Sequence, residues 1–338
     1  MLKQQIKSAI RQIIASIYYA ANHPLTHLQG KVVILTYHRV ISVKELNQNF
    51  IQPGMYVRAD VFEKQMQFLK EHFQILSFTE LLNLWNEKTF DETKRYCVIT
   101  FDDGWLDNYT NAYPVLKKYD IPATIFLPTA FISTDKWFWP DKISYLLMNF
   151  CNSSKIHEFG ESLRKLLSKY DWLSSLNIEK IDSAIESCKN LPEEDVDCLI
   201  REMSNILGLK IPDERLLINW KEIKKISKHG VSFGSHSCNH KILTKLSTTE
   251  IKKELEDSLH TLQKKRINYI PVFCYPNGSY NKEITVMVKA AGYQAAVSTH
   301  FGFENDLPQD LFSLKRIGIH NDISSTIPLF AYRLSKKG

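Results

Sequence analysis

The stretch "VITFDDGW", residues 98–105, decides the reading of the fold. A run of β-forming residues ends in two adjacent carboxylates, a glycine and an aromatic. Two like charges at a strand tip repel and resist desolvation unless a cation lies beside them or one acid serves in proton transfer. In α/β sheets the carboxyl ends of the strands are where ligands collect. Side chains alternate along a strand, so Asp102 and Asp103 point different ways and are expected to do different work. By itself, D-D-G is also an ordinary turn.

The same pattern recurs along the chain. "KVVILTY" (31–37), "YCVITF" (96–101), "ATIFL" (123–127), "VSFGS" (231–235), "PVFCY" (271–275), "QAAVS" (294–298) and "LKRIGI" (314–319) read as buried strands. Helical patterns lie between them at 60–73, 77–88, 111–120, 247–265 and 281–293, the fourth opening with a Ser247 or Thr248 capping signal ahead of Glu250 and the last stopping at Gly292. Seven strands alternating with helices predict an α/β protein with a parallel sheet, either open or closed into a barrel. Residues 135–218 break the rhythm and read as a helical insertion, with helices in "DKISYLLMNFC", "IHEFGESLRKLLSKY" and "EEDVDCLIREMSNILG".

Composition narrows the class. The chain has 338 residues, 44% of them hydrophobic, and a net charge of +6 from 43 basic and 37 acidic residues. That excess is mild and dispersed, with no arginine–aromatic stripe, so a nucleic-acid partner is not expected. Six cysteines (97, 151, 188, 198, 238, 274) form no C-x-x-C pair, which suits reduced thiols in a reducing compartment.

At the N-terminus, Leu2, Ile6, Ile10, Ile13, Ile14, Ile17 and Tyr18 repeat at helical spacing among Lys3, Lys7 and Arg11. No apolar run reaches the ~20 residues that span a bilayer. Three readings stay open: a cleaved signal, a helix packed on the domain, or a helix on a membrane surface through residues 1–22. The expected location is cytoplasmic, or peripheral on the inner membrane.

Two further strand ends carry chemistry. "GVSFGSHSCNHKIL" (230–243) delivers His236 and His240; four residues apart, they would share one face of a helical turn and could ligate one ion. Two histidines and a carboxylate suit a divalent metal with open positions, Zn2+ by default. Cys238, at i+2, should face away. "VFCYPNGSYN" (272–281) is a strand followed by the turn Pro276-Asn277-Gly278, whose backbone N–H groups and Tyr275 could line the site.

Together with "ILTYHRV" (34–40), the motifs "TFDDG", "SHSCNH" and "FCYPNG" resemble the polysaccharide deacetylase family, with its NodB homology domain, in order from about residue 31 to 320. The resemblance implies a distorted (β/α)7 barrel over 31–330, carrying the insertion at about 135–218, behind an N-terminal helix in 1–30. It also implies metal-dependent removal of an acetyl group from an amino sugar of a bacterial surface glycan or its lipid-linked precursor. Position by position, Asp102 matches the family's general base, and Asp103, His236 and His240 match its metal ligands. A backbone N–H near Tyr275 would stabilise the oxyanion.

Two family features are missing: the late leucine–histidine motif that supplies the acid, and the arginine ahead of the third motif. His38, His300 or His320 could replace the acid, His38 being favoured because it ends the first strand. Arg316 or Arg39 could replace the arginine. Substrate contacts are expected from Tyr275, Pro276, Asn277, Trp105 and Arg316, with Trp139 a further candidate for stacking on a sugar. Competing functions are another metal-dependent hydrolase, such as a deformylase, and a carbohydrate-binding barrel without catalysis.

Overall fold

The structure is a computed structural model that describes residues 2–21, 25–48, 51–152 and 181–336. Seven strands, β1 (Lys31–Tyr37), β2 (Arg95–Phe101), β3 (Ala123–Leu127), β4 (Val231–Ser235), β5 (Tyr269–Cys274), β6 (Ala295–Phe301) and β7 (Leu314–Gly318), make up a parallel sheet to which the two-residue strand Gln74–Ile75 adds an eighth member beside β2. Each of β1 to β6 pairs with its successor, and β7 returns to β1, so the sheet closes into a barrel. Closure settles the choice between an open sheet and a barrel.

The barrel is uneven. β1 and β2 are in register over seven residues, Lys31 opposite Arg95 through Tyr37 opposite Phe101. The β7–β1 seam holds only Leu35 opposite Ile317 and Thr36 opposite Gly318. Register shifts interrupt β4–β5 and β6–β7, the second next to Arg316. Strands β1 to β4 are buried on both faces along nearly their whole length, as parallel strands under a helical layer are, which is why they read as continuous apolar runs.

The helices begin with α1 (Leu2–Ala20), α2 (Ala59–His72), α3 (Phe78–Glu87) and α4 (Tyr113–Tyr119). Ser77 caps α3 through a reciprocal pair with Glu80. The apolar stripe of α3, with Phe78, Leu81, Leu82 and Trp85, joins Val32, Ile34, Val98, Phe126 and Val272 in one core cluster. Just before α4 the chain makes a π-helical turn over Asn108–Ala112, a distortion that recurs at functional sites.

Residues 44–52 and 135–216 form a second compact unit. Three of its described helices, α5 (Trp139–Asn152), α6 (Ile181–Cys188) and α7 (Glu193–Leu207), have their own core of Leu146, Leu147, Ile185, Leu199 and Met203. The helix expected in 156–170 lies outside the described residues, and Trp139 belongs to this unit.

The chain returns to the barrel unit with α8 (Trp220–Ile226), then α9 (Thr248–Lys264), α10 (Lys282–Ala290) and α11 (Ile327–Ser335). Ser247 caps α9 with Glu250, and Gly292, at φ +101°, turns the chain after α10. All six cysteines are free. Among the described residues no helix is long and apolar enough to cross a membrane.

Candidate active site

The carboxyl ends of β2, β4 and β5 bring the three motifs together. β2 ends at Phe101, and the next residues leave the ladder sharply: Asp103 has φ +69° and Gly104 +66°. A left-handed aspartate is uncommon, and the glycine has no side chain to resist the turn. A Cβ on Gly104 would stand 2.7 Å from Leu127, so the turn also needs the missing side chain. The result aims the two carboxylates in different directions.

Asp102 faces Arg316 of β7. Both are buried, at 3% and 1% exposed. Arg316 Nη1 donates to Asp102 Oδ1 at 2.7 Å and Nη2 to Oδ2 at 2.8 Å, the bidentate arrangement that matches a guanidinium to a carboxylate. Its remaining donors reach Ser298 O (2.8 Å), Thr100 Oγ1 (3.2 Å) and Cys274 Sγ (3.3 Å). All five N–H groups are therefore engaged by protein atoms. Burial works against ionisation of Asp102, but the charge of Arg316 and its hydrogen bonds override it and bring the carboxyl down to about 2.

Asp103 faces the histidines. Its Oδ1 lies 3.4 Å from His236 Nε2 and 3.2 Å from His240 Nε2, and Trp105 Nε1 donates to its Oδ2 at 3.1 Å. Burial opposes its charge, and the hydrogen bonds from His236 and His240 overcome that, holding it well below the usual carboxylate range. The expected helical turn at 236–240 is absent. The segment is a loop in which Ser237 (φ +63°) and His240 (φ +56°) are left-handed. Ser235 Oγ accepts from Ser237 N–H and Ser237 Oγ from His240 N–H, while Glu254 of α9 accepts from the N–H groups of Cys238 and Asn239. This web, rather than a helix, turns both imidazoles inward, with ring centroids 4.8 Å apart.

These atoms fit a divalent cation. Two ligands ~2.1 Å from one ion at a tetrahedral angle stand about 3.4 Å apart, close to the distances from Asp103 to both histidines. His236 Nδ1 lies 2.8 Å from Cys274 O, a pure acceptor, so Nδ1 carries a proton. Burial opposes charge on this ring, but Cys274 and Asp103 hold its pKa well above the ordinary value, so positive charge is favoured between Nε2 and the Asp103 carboxylate, a place that a metal ion can take. A backbone partner on the outer nitrogen is also how metal-bound histidines are oriented. Asp102, His236 and Cys274 are close enough to form another donor group, but the guanidinium on Asp102 disfavours a cation there.

His38, just past β1, is held at the mouth by the segment after the D-D-G turn. Asn108 Nδ2 donates to His38 O (2.7 Å), Val40 N–H to Asp107 Oδ1 (2.8 Å), Arg39 Nε to Asp107 Oδ2 (2.8 Å) and Asn111 Nδ2 to Val40 O (2.8 Å). Burial lowers the His38 pKa, and the ring feels the charges of Asp103, Asp102, Arg316 and His236. The other histidines turn to local partners: exposed His300 to Tyr280, and His320 to Asp322.

Several expected substrate contacts are instead internal supports. Trp105 is 2% exposed, with Arg39 over its ring at 4.6 Å, so it offers no face to a sugar. Tyr275 is buried, its hydroxyl on Phe312 O, and its backbone N–H donates to Val297 O at 3.3 Å rather than standing ready for an oxyanion. Pro276 is also buried. Arg316 has no donor left for a ligand; it acts on Asp102, the alternative its position allowed. Arg39 pairs with Asp107. Asn277, at φ +56°, is exposed at the rim and stays available. Glu254 and Asp107 were missed. Each sits on an amphipathic helical stretch, where a carboxylate reads as solvent-facing; a small polar run opposite Glu254, "SCN" at 237–239, is the only hint.

Comparison with known proteins agrees with this geometry. The polysaccharide deacetylase family profile matches residues 90–296. The poly-β-1,6-N-acetyl-D-glucosamine N-deacetylase of Staphylococcus epidermidis is 29% identical over 230 residues, 63% of this chain and 74% of that protein. Its Staphylococcus aureus namesake is 36% identical over 172 residues, covering 48% and 57% of the two chains. In fold, the Streptococcus pyogenes deacetylase PplD, solved with acetate, superposes with a TM-score of 0.58 at 22% identity, over 90% of this chain and 98% of that one. The chain belongs to the polysaccharide deacetylase family, hydrolases of carbon–nitrogen bonds outside peptides.

Proposed function

We propose that the protein removes the acetyl group from an N-acetylated amino sugar of a bacterial surface glycan or its lipid-linked precursor, using Zn2+ or a similar divalent ion held by Asp103, His236 and His240. The observation that carries this reading is the division between neighbouring carboxylates. One is locked to a guanidinium, the other faces two imidazoles. When bound, the cation would supply Lewis acidity, polarising the amide carbonyl and easing deprotonation of water.

The chain's own residues do the rest. Asp102, kept ionised and oriented by Arg316, takes a proton from the water whose oxygen bonds to the acetyl carbon. The C–N bond breaks, the nitrogen gains a proton, and acetate and a free amine leave. We assign that protonation to His38. Its lowered pKa leaves the ring neutral at pH 7 before reaction, so the proton it delivers is the one that Asp102 drew from the water, and its transfer returns Asp102 to the ionised form. Asn277 at the rim is the remaining candidate contact for the sugar. The deacetylase module in this reading is residues 31–330, with 135–218 inserted.

The names of the staphylococcal relatives support an N-acetylglucosamine polymer as the first substrate to try. The test is release of acetate from N-acetylglucosamine oligomers and lipid-linked N-acetylhexosamines, with and without a chelator. Formate release from N-formyl sugars in place of acetate would favour a deformylase, and no release of either would favour a binding barrel.

A further inference from the structure

Among the described residues, exposed large aliphatic side chains gather on one element. Ile10, Ile13, Ile14 and Ile17 of α1 are 51%, 60%, 46% and 66% exposed, whereas Val43, Val286 and Leu307 stand singly elsewhere. The spacing places all four on one side of the helix. The rest of the helix is anchored: Ala15 is buried on the far side, Tyr18 beside the stripe meets Tyr332 of α11 edge-on at 5.6 Å, Tyr19 lies against Phe68 of α2, and Gln12 Nε2 donates to Thr326 Oγ1. The isoleucines are thus held outward on a fixed helix.

Along α1 and α11 every charged residue is basic; Asp322, just ahead of α11, is the acid whose charge reaches Arg333. No acidic residue occurs before Glu45 or after Asp322. The sequence of α1 carries Lys3, Lys7 and Arg11, and that of α11 and the residues after it carries Arg333, Lys336 and Lys337. Burial and the neighbouring charge of Arg11 lower the Arg333 pKa, which sets two guanidinium groups near one another. Tyr18 and Tyr332 add amphipathic rings at the margin of the stripe. Exposed aliphatics, flanking cations and tyrosines are the combination that an anionic bilayer surface accepts; a purely apolar protein partner would not need the cations.

The helix also reaches the end of the barrel that carries the site. α1 and α11 run the same way, since Gln12 meets Thr326 and Tyr18 meets Tyr332. Thr326 lies at the carboxyl end of the strands: Gln65 bonds both Ser324 O and the hydroxyl of Tyr37, the last residue of β1. The ten residues before Gln12 therefore continue about 15 Å past that level, at 1.5 Å per residue.

We propose that the outer face of α1 docks on an anionic membrane surface, with Ile10, Ile13, Ile14 and Ile17 entering the headgroup–acyl boundary and the cations on the lipid phosphates. The test is sedimentation of the full 338-residue chain with phosphatidylcholine vesicles, with or without phosphatidylglycerol. Binding is expected with the anionic vesicles, weakened by salt, and reduced about tenfold or more by Ile13→Asp with Ile17→Asp. Both side chains are exposed, so circular dichroism should not change. Asp102→Asn should bind vesicles like the native chain, which separates this outcome from the catalytic reading. Equal binding by the native chain and the double variant would overturn the proposal, as would equal binding to neutral and anionic vesicles. A native dimer that the double variant splits, without vesicle binding by either, would give the face to a second copy instead.

Discussion

Replacing Arg316 with methionine tests the buried pair at the centre of the site. The substitution keeps most of the side-chain length and deletes the guanidinium, leaving the Asp102 carboxylate 3% exposed and without its cation. Losing one partner of a buried pair costs ~3–5 kcal/mol, mostly because the other charge stays buried alone. The contacts to Ser298 O, Thr100 Oγ1 and Cys274 Sγ are lost too, each worth about 1 kcal/mol or less net. We therefore expect Arg316→Met to lose about 4 kcal/mol at pH 7 in urea unfolding followed by fluorescence. Adding Asp102→Asn removes the stranded charge and should restore about half or more of that loss.

The pH dependence gives the sign. In the native chain Asp102 falls from an ordinary value of about 3.9 to about 2 on folding, which contributes on the order of 2–3 kcal/mol. That stability is complete above the unfolded value and fades as pH drops through about 4 towards 2. In Arg316→Met, burial is opposed only by the weaker charges of His236 and His38, so the Asp102 pKa should rise, with the penalty greatest at neutral pH and relieved by acid. The gap between the two proteins should therefore narrow below about pH 4. A gap under about 1 kcal/mol at pH 7, a gap that does not change with pH, or a double variant no more stable than Arg316→Met would refute this reasoning.

Two other supports give sharper local effects. Trp105→Phe keeps an aromatic ring but removes the Nε1–H that orients Asp103 Oδ2; metal affinity by competition with a chromophoric chelator should fall ~10-fold or more, and excess metal should restore turnover. Glu254→Gln breaks the clamp on the Cys238 and Asn239 N–H groups, so we expect about 1–3 kcal/mol lower stability and faster hydrogen exchange at 237–240, with little change at β1 or β2.

The strands β1 to β4 were legible because burial on both faces makes each an unbroken apolar run; β1, β3 and β4 begin and end where the sequence places them. Asp102, Asp103, His236 and His240 were legible because charged residues at strand tips stand out against those runs. The supporting residues were not. A tryptophan in a site motif suggests sugar stacking, yet the packing of Arg39 over Trp105 and its bond to Asp103 depend on tertiary placement. Spacing of i, i+4 suggested a helical turn for His236 and His240, but the serine and Glu254 contacts hold a left-handed loop instead. Arg316 could be placed on its strand, but only the barrel's closure shows that its five donors all meet protein atoms.

The central claim, that adjacent aspartates divide metal binding from proton transfer, is tested most directly by measuring bound metal and acetate release together in Asp102→Asn and Asp103→Asn. We predict that Asp102→Asn keeps close to one metal ion per chain and loses turnover by ~10²-fold or more, while Asp103→Asn loses the metal and turnover together. Near-native turnover in Asp102→Asn, or full metal retention in Asp103→Asn, would contradict the account.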